Sequence, residues 1–316
     1  MEKVLKIQAV IFFQIMLLLI PAVSLHAKDV TKTPLHILHN VKSAIDSSLN
    51  YTDGRLVMSS KKIVFSGLTG KKTEGILLYL CQSVPGSVDC AMVDPEGRIV
   101  TVMPDEFKKY EGMDISGEEQ FIQFKKTGNP VLGRVSPSVE GMDAVHIHHP
   151  VYLKHRKLAG SVRLLLRPHV FLASVIAPSL EGCFHEVWLM QKNGRIVYDK
   201  DAGKIGRLLF EDPLFKTNES ILAAGRMIAE NQKGITFLEV SSAGGHKQIK
   251  KTVHWDTVGL YGTEWRLVVV GAVDHEERKQ PMPGSDRDAH GCIGSAGYTW
   301  CESAQKCLRM WEEPCP

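Results

Sequence analysis

The run Val145-His146-Ile147-His148-His149 is the densest cluster of reactive side chains in the sequence. On a strand, His146 and His148 fall on one face and Val145 and Ile147 on the other. Two imidazoles side by side can ligate a metal or meet an acidic ligand. Spacing specifies no third ligand, so the expectation is polar contacts in a small-molecule pocket, with no metal and no cofactor. Arg134 lies on the strand expected just before and has the forked guanidinium that grips a carboxylate. A second group, Tyr198, Asp199, Asp201, Trp255 and Asp256, falls around strand ends further along. Aromatic walls with one or two charges suit a small polar molecule. Each group also has a plainer reading: a solvated strand face for the histidines, a surface arginine at 134, and core aromatics at Trp188, Trp255 and Trp265.

Catalysis finds no support. The sequence holds no G-x-S-x-G, no H-E-x-x-H and no phosphate-cradling glycine loop. His185-Glu186 and His275-Glu276 lack the second histidine that a zinc helix needs, and no haem-attachment C-x-x-C-H occurs. The formal charge is +3 and no basic run interleaves with aromatics, which excludes an electrostatic case for nucleic acid.

Seven cysteines agree with an oxidising compartment. Cys292, Cys301, Cys307 and Cys315 crowd a segment too small to rest on an apolar core, so two disulfides among them are expected. Zinc is the competing reading, but the usual C-x2-C knuckle is missing. Cys81 and Cys90 are close enough in sequence to pair. Cys183 is then left over and expected to be buried.

The elements that would position these groups come in duplicate. Gly97-Arg98-Ile99-Val100 recurs as Gly194-Arg195-Ile196-Val197, and Gly160-Ser161-Val162-Arg163-Leu164 resembles Thr263-Glu264-Trp265-Arg266-Leu267. A period of about a hundred residues is that of a small domain, not a solenoid. Leu38, Val41, Ile45 and Leu49 form a helical stripe, and a second helix is expected over about 74–82. Stretches 56–58 and 63–65 carry no clear assignment. Strands are expected over 90–94, 98–103, 131–135, 144–153 and 160–166, then over 186–191, 195–199, 234–240, 248–257 and 264–271. In each set two strands, a helical crossing and three strands follow in order. Residues 168–180 bridge the sets as helix.

The first residues read as an export signal. Lys3 and Lys6 precede the apolar run 10–20, Pro21 breaks it, and small residues up to Ala27 offer cleavage. The expected division is a signal peptide at 1–27, a first module with its leading helix at 28–180, and a second module at 181–274. A polar linker at 275–291 and a Cys-rich module at 292–316 follow.

A long helix leading into two PAS-like modules resembles the double Cache family of extracytoplasmic sensor domains. The resemblance covers about residues 33–273. It rests on Val93-Asp94-Pro95-Glu96-Gly97-Arg98-Ile99-Val100, on Tyr110 to Ser116, on Asn193 to Asp201 with Ile205 to Phe210, and most strongly on Trp255 to Leu267. It implies an α+β fold in which each module is an antiparallel sheet under a helical cover. It also implies sensing of small ligands outside the cytoplasm, usually in the first, distal module. The family's amino-acid pattern of Arg and Trp-Tyr followed by Tyr and Asp does not appear at its spacing. The tail is similar to short modules that end some bacterial envelope proteins, some of them inhibitor-like.

The expected function is therefore an exported, non-enzymatic sensor or binding protein, periplasmic or secreted. It would recognise a small polar, anionic metabolite such as a carboxylate and present the bound state to a partner, for instance a membrane sensor kinase. The alternative is an envelope interaction protein in which the modules are scaffold and the tail acts. The expected ligand contacts are Arg134, His146 and His148 in the first module. Tyr198, Asp199, Trp255 and Asp256 are their counterparts in the second.

Overall fold

The computed structural model describes residues 33–241, 248–272, 288–293, 298–310 and 312–315. The export segment and most of the linker lie outside the described residues. Helix α1 runs Pro34–Ser66. Thr33 caps it by accepting from the His36 amide at 3.2 Å, and proline stands in its first turn, where no amide partner is missed. Its buried residues, Ile37, Leu38, Val41, Ile45, Leu49, Thr52, Leu56, Ser59, Ser60 and Ile63, form one stripe along the whole helix. The stretches without a clear assignment are thus helix. Their pattern is blurred because Thr52, Ser59 and Ser60 take stripe positions that apolar residues would normally fill. Among the described residues no helix is long and apolar enough to cross a membrane.

Helix α2 (Lys71–Ser83) precedes the first sheet. Strands β1 (Ser87–Val93), β2 (Ile99–Met103), β3 (Val131–Leu132), β4 (Ser136–Pro137), β5 (Asp143–Tyr152) and β6 (Leu158–Leu166) form it in the order β2-β1-β6-β5-β3, with β4 paired to β5. Helix α3 (Glu119–Thr127) lies in its crossing segment. Helix α4 (Pro168–Ile176) leads to the second sheet. This consists of β7 (Glu186–Gln191), β8 (Ile196–Asp199), β9 (Gly234–Ser241), β10 (Gln248–Leu260) and β11 (Thr263–Ala272) in the order β8-β7-β11-β10-β9. Helices α5 (Pro213–Lys216) and α6 (Glu219–Glu230) cover it. Both sheets are antiparallel throughout. The expected order of strands and crossings holds in both modules; the strand expected over 131–135 shrinks to Val131–Leu132, and β4 at Ser136–Pro137 is additional.

The duplicated motif is a duplicated turn. Gly97 donates to the Asp94 carbonyl at 3.1 Å, and Gly194 to Gln191 at 2.9 Å. Both glycines have φ near 90° (96° and 86°). A Cβ on Gly97 would stand 2.9 Å from the Phe121 ring, and one on Gly194 would stand 2.6 Å from Phe210. A side chain is excluded twice over, by backbone strain and by the aromatic beneath.

Each sheet has two faces. One face of the first presents Cys90, Met92, Val145, Ile147, Val162 and Leu164 to α1 and α2. The same continuous core takes in Val187, Leu189, Trp265, Leu267 and Val269 of the second sheet, so α1 ties the two modules together. By the alternation of strands, Asp89, Ala91, His146, His148, Ser161 and Arg163 face the other way, beneath the crossing segment. The start of α1 lies against the end of β11: a Cβ on Gly271 would come within 2.3 Å of Pro34. A small hairpin, β12 (Thr299–Cys301) and β13 (Lys306–Leu308), carries the tail.

Candidate functional site

The covered face of the first sheet holds a buried polar cluster. Arg163 stands on β6, the central strand, directly opposite His148 of β5. Its guanidinium meets Asp89 of β1 at 3.2 Å and also pairs with Glu140 from the loop before β5. All three side chains are essentially inaccessible. Burial pushes Asp89 up to about 7, against the pull of the Arg163 charge. Burial acts on Glu140 in the same direction, but there the charge and hydrogen bond of Arg163 prevail and hold its carboxyl below its ordinary value. One guanidinium between two carboxylates cannot satisfy both equally.

His146 and His148 are fully buried beside this group. The His148 ring packs between Phe121 and Phe124 of α3, at centroid distances of 5.7 and 5.8 Å. Its Nδ1 lies 3.0 Å from Ser161 Oγ. Burial lowers both imidazole pKa values, His146 to about 3, and the Arg163 charge adds to the effect. Both rings are therefore neutral. Glu118, the residue before α3, turns its carboxylate inward instead of capping the helix. Its Oε2 lies 3.2 Å from His146 Nδ1, although without hydrogen-bond geometry, and accepts from Gln120 Nε2 at 2.6 Å. Ligating atoms of Glu118, His146 and His148 all lie within 4.8 Å of one another.

Arg134 does not join the histidines. It is exposed on the flank, where both oxygens of Glu119 hold it at 2.6 and 2.7 Å. It lines a cleft of about 400 Å³ with Glu118, Gln120, Arg195 and Thr263, between the two modules. The short β3 ends before residue 134 and leaves its side chain free to swing outward.

The second module differs. Between its sheet and cover lies a cavity of about 570 Å³. Trp188, Ile196, Tyr198, Leu209, Phe215, Ile221, Leu238 and Val270 form the walls. Asp199, Asp201, Lys204, Lys251 and Glu186 supply charge. Lys204 stands 3.6 Å from Asp199, and Lys251 pairs with Glu186. Burial and the neighbouring Asp199 charge raise the Tyr198 hydroxyl pKa. Tyr198 and Asp199 thus fall where the strand-end reading put them. Trp255 and Asp256 do not line the cavity. Trp255 is core: its indole donates to the Asn231 carbonyl at 3.0 Å and packs so tightly on Gly234 that a Cβ there would come within 2.3 Å. Asp256 accepts from the Thr257 amide.

Sequence reasoning missed Arg163, Asp89, Glu118 and Glu140. Arg163 left a signal, a lone cation among the apolar residues of β6. The two glutamates left none, because they reach the cluster from irregular segments.

The tail cysteines pair as Cys292–Cys307 and Cys301–Cys315, within the tail as expected. The expected Cys81–Cys90 disulfide is not formed; both are free thiols. Cys81 on α2 and Cys90 on β1 face each other inside the shared core, and burial, followed by the hydrogen bond with Cys81, raises the Cys90 pKa. Cys183 is half-buried and lines the second-module cavity.

Residues 47–168 match the family described as HK/GC/Chemotaxis protein-like, sensor domain. Among solved structures, the chain is similar to an extracellular ligand binding receptor from Desulfohalobium retbaense. Identity is 26%, with 75% of this chain and 40% of that one covered, at a TM-score of 0.62. The chain thus spans well under half of that receptor. It is also similar to the ligand-binding domain of the Pseudomonas aeruginosa amino acid chemoreceptor PctB in complex with L-Gln (14% identity, 76% and 90% covered, TM-score 0.52). The ligand-binding domain of the Pseudomonas fluorescens chemoreceptor CtaA in complex with L-alanine matches alike (15%, 76% and 96%, 0.52). At these identities the two chemoreceptor likenesses show the fold. No curated protein matches the sequence.

Proposed function

We propose, from the premise that this chain carries a tandem Cache-type sensor region, that it is an exported sensor whose second module binds a small carboxylate-bearing metabolite. The observation that carries this reading is the 570 Å³ cavity between sheet and cover in the second module. Its size falls within the range of small-molecule sites, and its walls are apolar and aromatic with a few charged groups. The equivalent space in the first module is packed by Phe121, Phe124 and the Arg163 cluster. The ligand therefore belongs in the second module and not in the distal one, where the family resemblance puts it. Lys204 and Lys251 are the groups that would meet a carboxylate, exchanging their present partners for it, while Trp188 and Tyr198 supply flat contact. The chemoreceptor domains of the same fold bind amino acids, and the mixed charges at this cavity suit a zwitterion as well as a simple acid.

The division into a signal peptide at 1–27, modules at 28–180 and 181–274, a linker at 275–291 and a Cys-rich module at 292–316 belongs to the same reading. So does a membrane-bound partner, such as a sensor kinase, that reads the bound state. A thermal-shift screen of small carboxylates and amino acids on the mature chain tests the binding claim, because a ligand that binds only the folded state raises its melting temperature. Tyr198→Ala and Lys204→Ala should remove most of the shift and Arg134→Ala should leave it. The reverse pattern would move the site to the first module.

A further inference from the structure

The geometry points to a divalent transition-metal site in the first module, formed by Glu118, His146 and His148. Its three candidate donor groups are two imidazole nitrogens and a carboxylate oxygen, a set that suits zinc and its neighbours. Their ligating atoms lie within 4.8 Å of one another. That separation lets each reach a common ion by a small side-chain adjustment.

Three observations carry the assignment. Both ring nitrogens of His146 and Nε2 of His148 are buried without a hydrogen-bond partner among the described residues. Orphaned buried nitrogens are costly, and these three on two neighbouring histidines need an explanation; a shared ion would take one from each ring. Secondly, His148 is oriented as metal ligands are. Its Nδ1 rests on Ser161 Oγ at 3.0 Å, which leaves Nε2 as the outward donor, and the Phe121 and Phe124 rings fix its plane. Thirdly, the charge fits. Arg163 is the one cation of the cluster, and Asp89, Glu140 and Glu118 are three carboxylates around it. With three carboxyl groups against one guanidinium, the group has no surplus of positive charge to repel a divalent ion. Access is available through Glu118, whose side chain keeps 17% of its surface and lines the cleft between the modules.

The test uses the mature chain with its tail disulfides intact, stripped by a chelator that is then removed. Zinc chloride is titrated in by calorimetry, and cobalt(II) serves as a spectroscopic reporter. The expected result is saturable uptake of one zinc per chain, a raised melting temperature and visible cobalt bands without a thiolate charge-transfer band. Glu118→Gln and His146→Gln should weaken zinc binding at least about tenfold, in line with what losing a supporting group costs a metal site. His39→Ala, at an exposed position on α1, should leave it unchanged. Absence of stoichiometric uptake by the wild-type chain would overturn the proposal whether or not the variants fold. So would a thiolate band, which would put the metal on Cys81, Cys90 or Cys183, or uptake indifferent to Glu118→Gln and His146→Gln.

Discussion

Arg163 and Arg266 stand at the same place in the two sheets: each is on the central strand, fully buried, and on the face under the helical cover. They have diverged in what they hold. Arg266 Nε donates to the Ile228 carbonyl at 3.0 Å, and its Nη1 reaches Thr257 Oγ1 at 2.9 Å and Glu264 at 3.1 Å. It pins the end of α6 to the sheet. Among the described residues Arg163 bonds no cover helix and instead pairs with Asp89 and Glu140. One module has spent its buried arginine on closing a cover over a cavity; the other has spent it on neutralising buried acids.

Arg163→Met should destabilise the protein by about 3–5 kcal/mol, since it strands two carboxylates in the interior. Adding Asp89→Asn and Glu140→Gln should recover part of that loss. Arg266→Met should cost less, about 1–3 kcal/mol, because the partners it leaves are mostly neutral and Glu264 is partly solvated. Urea midpoints with unchanged slopes check this; equal losses for the two arginines would contradict it.

Asp89 gives stability a pH dependence of definite sign. Its folded pKa is raised from the ordinary 3.8 to about 7, chiefly by burial. Between those values the folded chain keeps a proton that the unfolded chain has released. This contribution is present in acid and is lost as pH rises from about 4 through about 7. Asp89→Asn removes the titration. The variant should therefore gain on the wild type as pH is raised from about 4 to about 8, as read by denaturant titrations at each pH. A constant difference would refute the assignment.

Cys183 offers a probe of the cavity. It is half-buried and lines the second-module cavity, whereas Cys81 and Cys90 lie in the core. A maleimide should label Cys183 in the folded protein and the other two only after unfolding. A ligand seated in the cavity should slow the labelling of Cys183. Mass spectrometry of timed samples shows both effects, and equal protection of all three thiols would count against the cavity's accessibility.

The tail should depend on its staples. Cys292–Cys307 and Cys301–Cys315 span 15 and 14 residues, and bridges closing loops of such length contribute about 3 kcal/mol each in the chain-entropy account. Reduction, or Cys307→Ser, should make the segment from 292 onward susceptible to limited proteolysis while the two sheets stay resistant.

Among the described residues Trp265 is the largest side chain that is fully buried, and it belongs to the core that α1 shares with both sheets. Trp265→Ala should cost about 3–5 kcal/mol. Since the core is continuous, calorimetry should show one lowered transition for both modules and not an early transition of the second alone.

The strands were legible because their apolar residues alternate and because the repeated glycine turn marks where each sheet begins. Gly97 and Gly194 are imposed by local geometry, and local geometry is what a sequence displays. The second half of α1 was not legible, since Thr52, Ser59 and Ser60 sit on its buried stripe and break the apolar period. Tyr198 and Asp199 could be placed at the cavity from their position at a strand end. Trp255 and Asp256 could not be excluded, because whether a strand residue lines a cavity or fills a core depends on what covers it. Glu118 reaches His146 from the other side of α3, β3 and β4, and no periodicity encodes such an approach.

The meeting of Pro34 with Gly271 gives the two-sheet region a polarity. The start of α1 and the end of β11 meet at one place. Val270, on the cavity wall, stands two residues before the last residue of β11. An occupant of the cavity would therefore touch β11 two residues from its end.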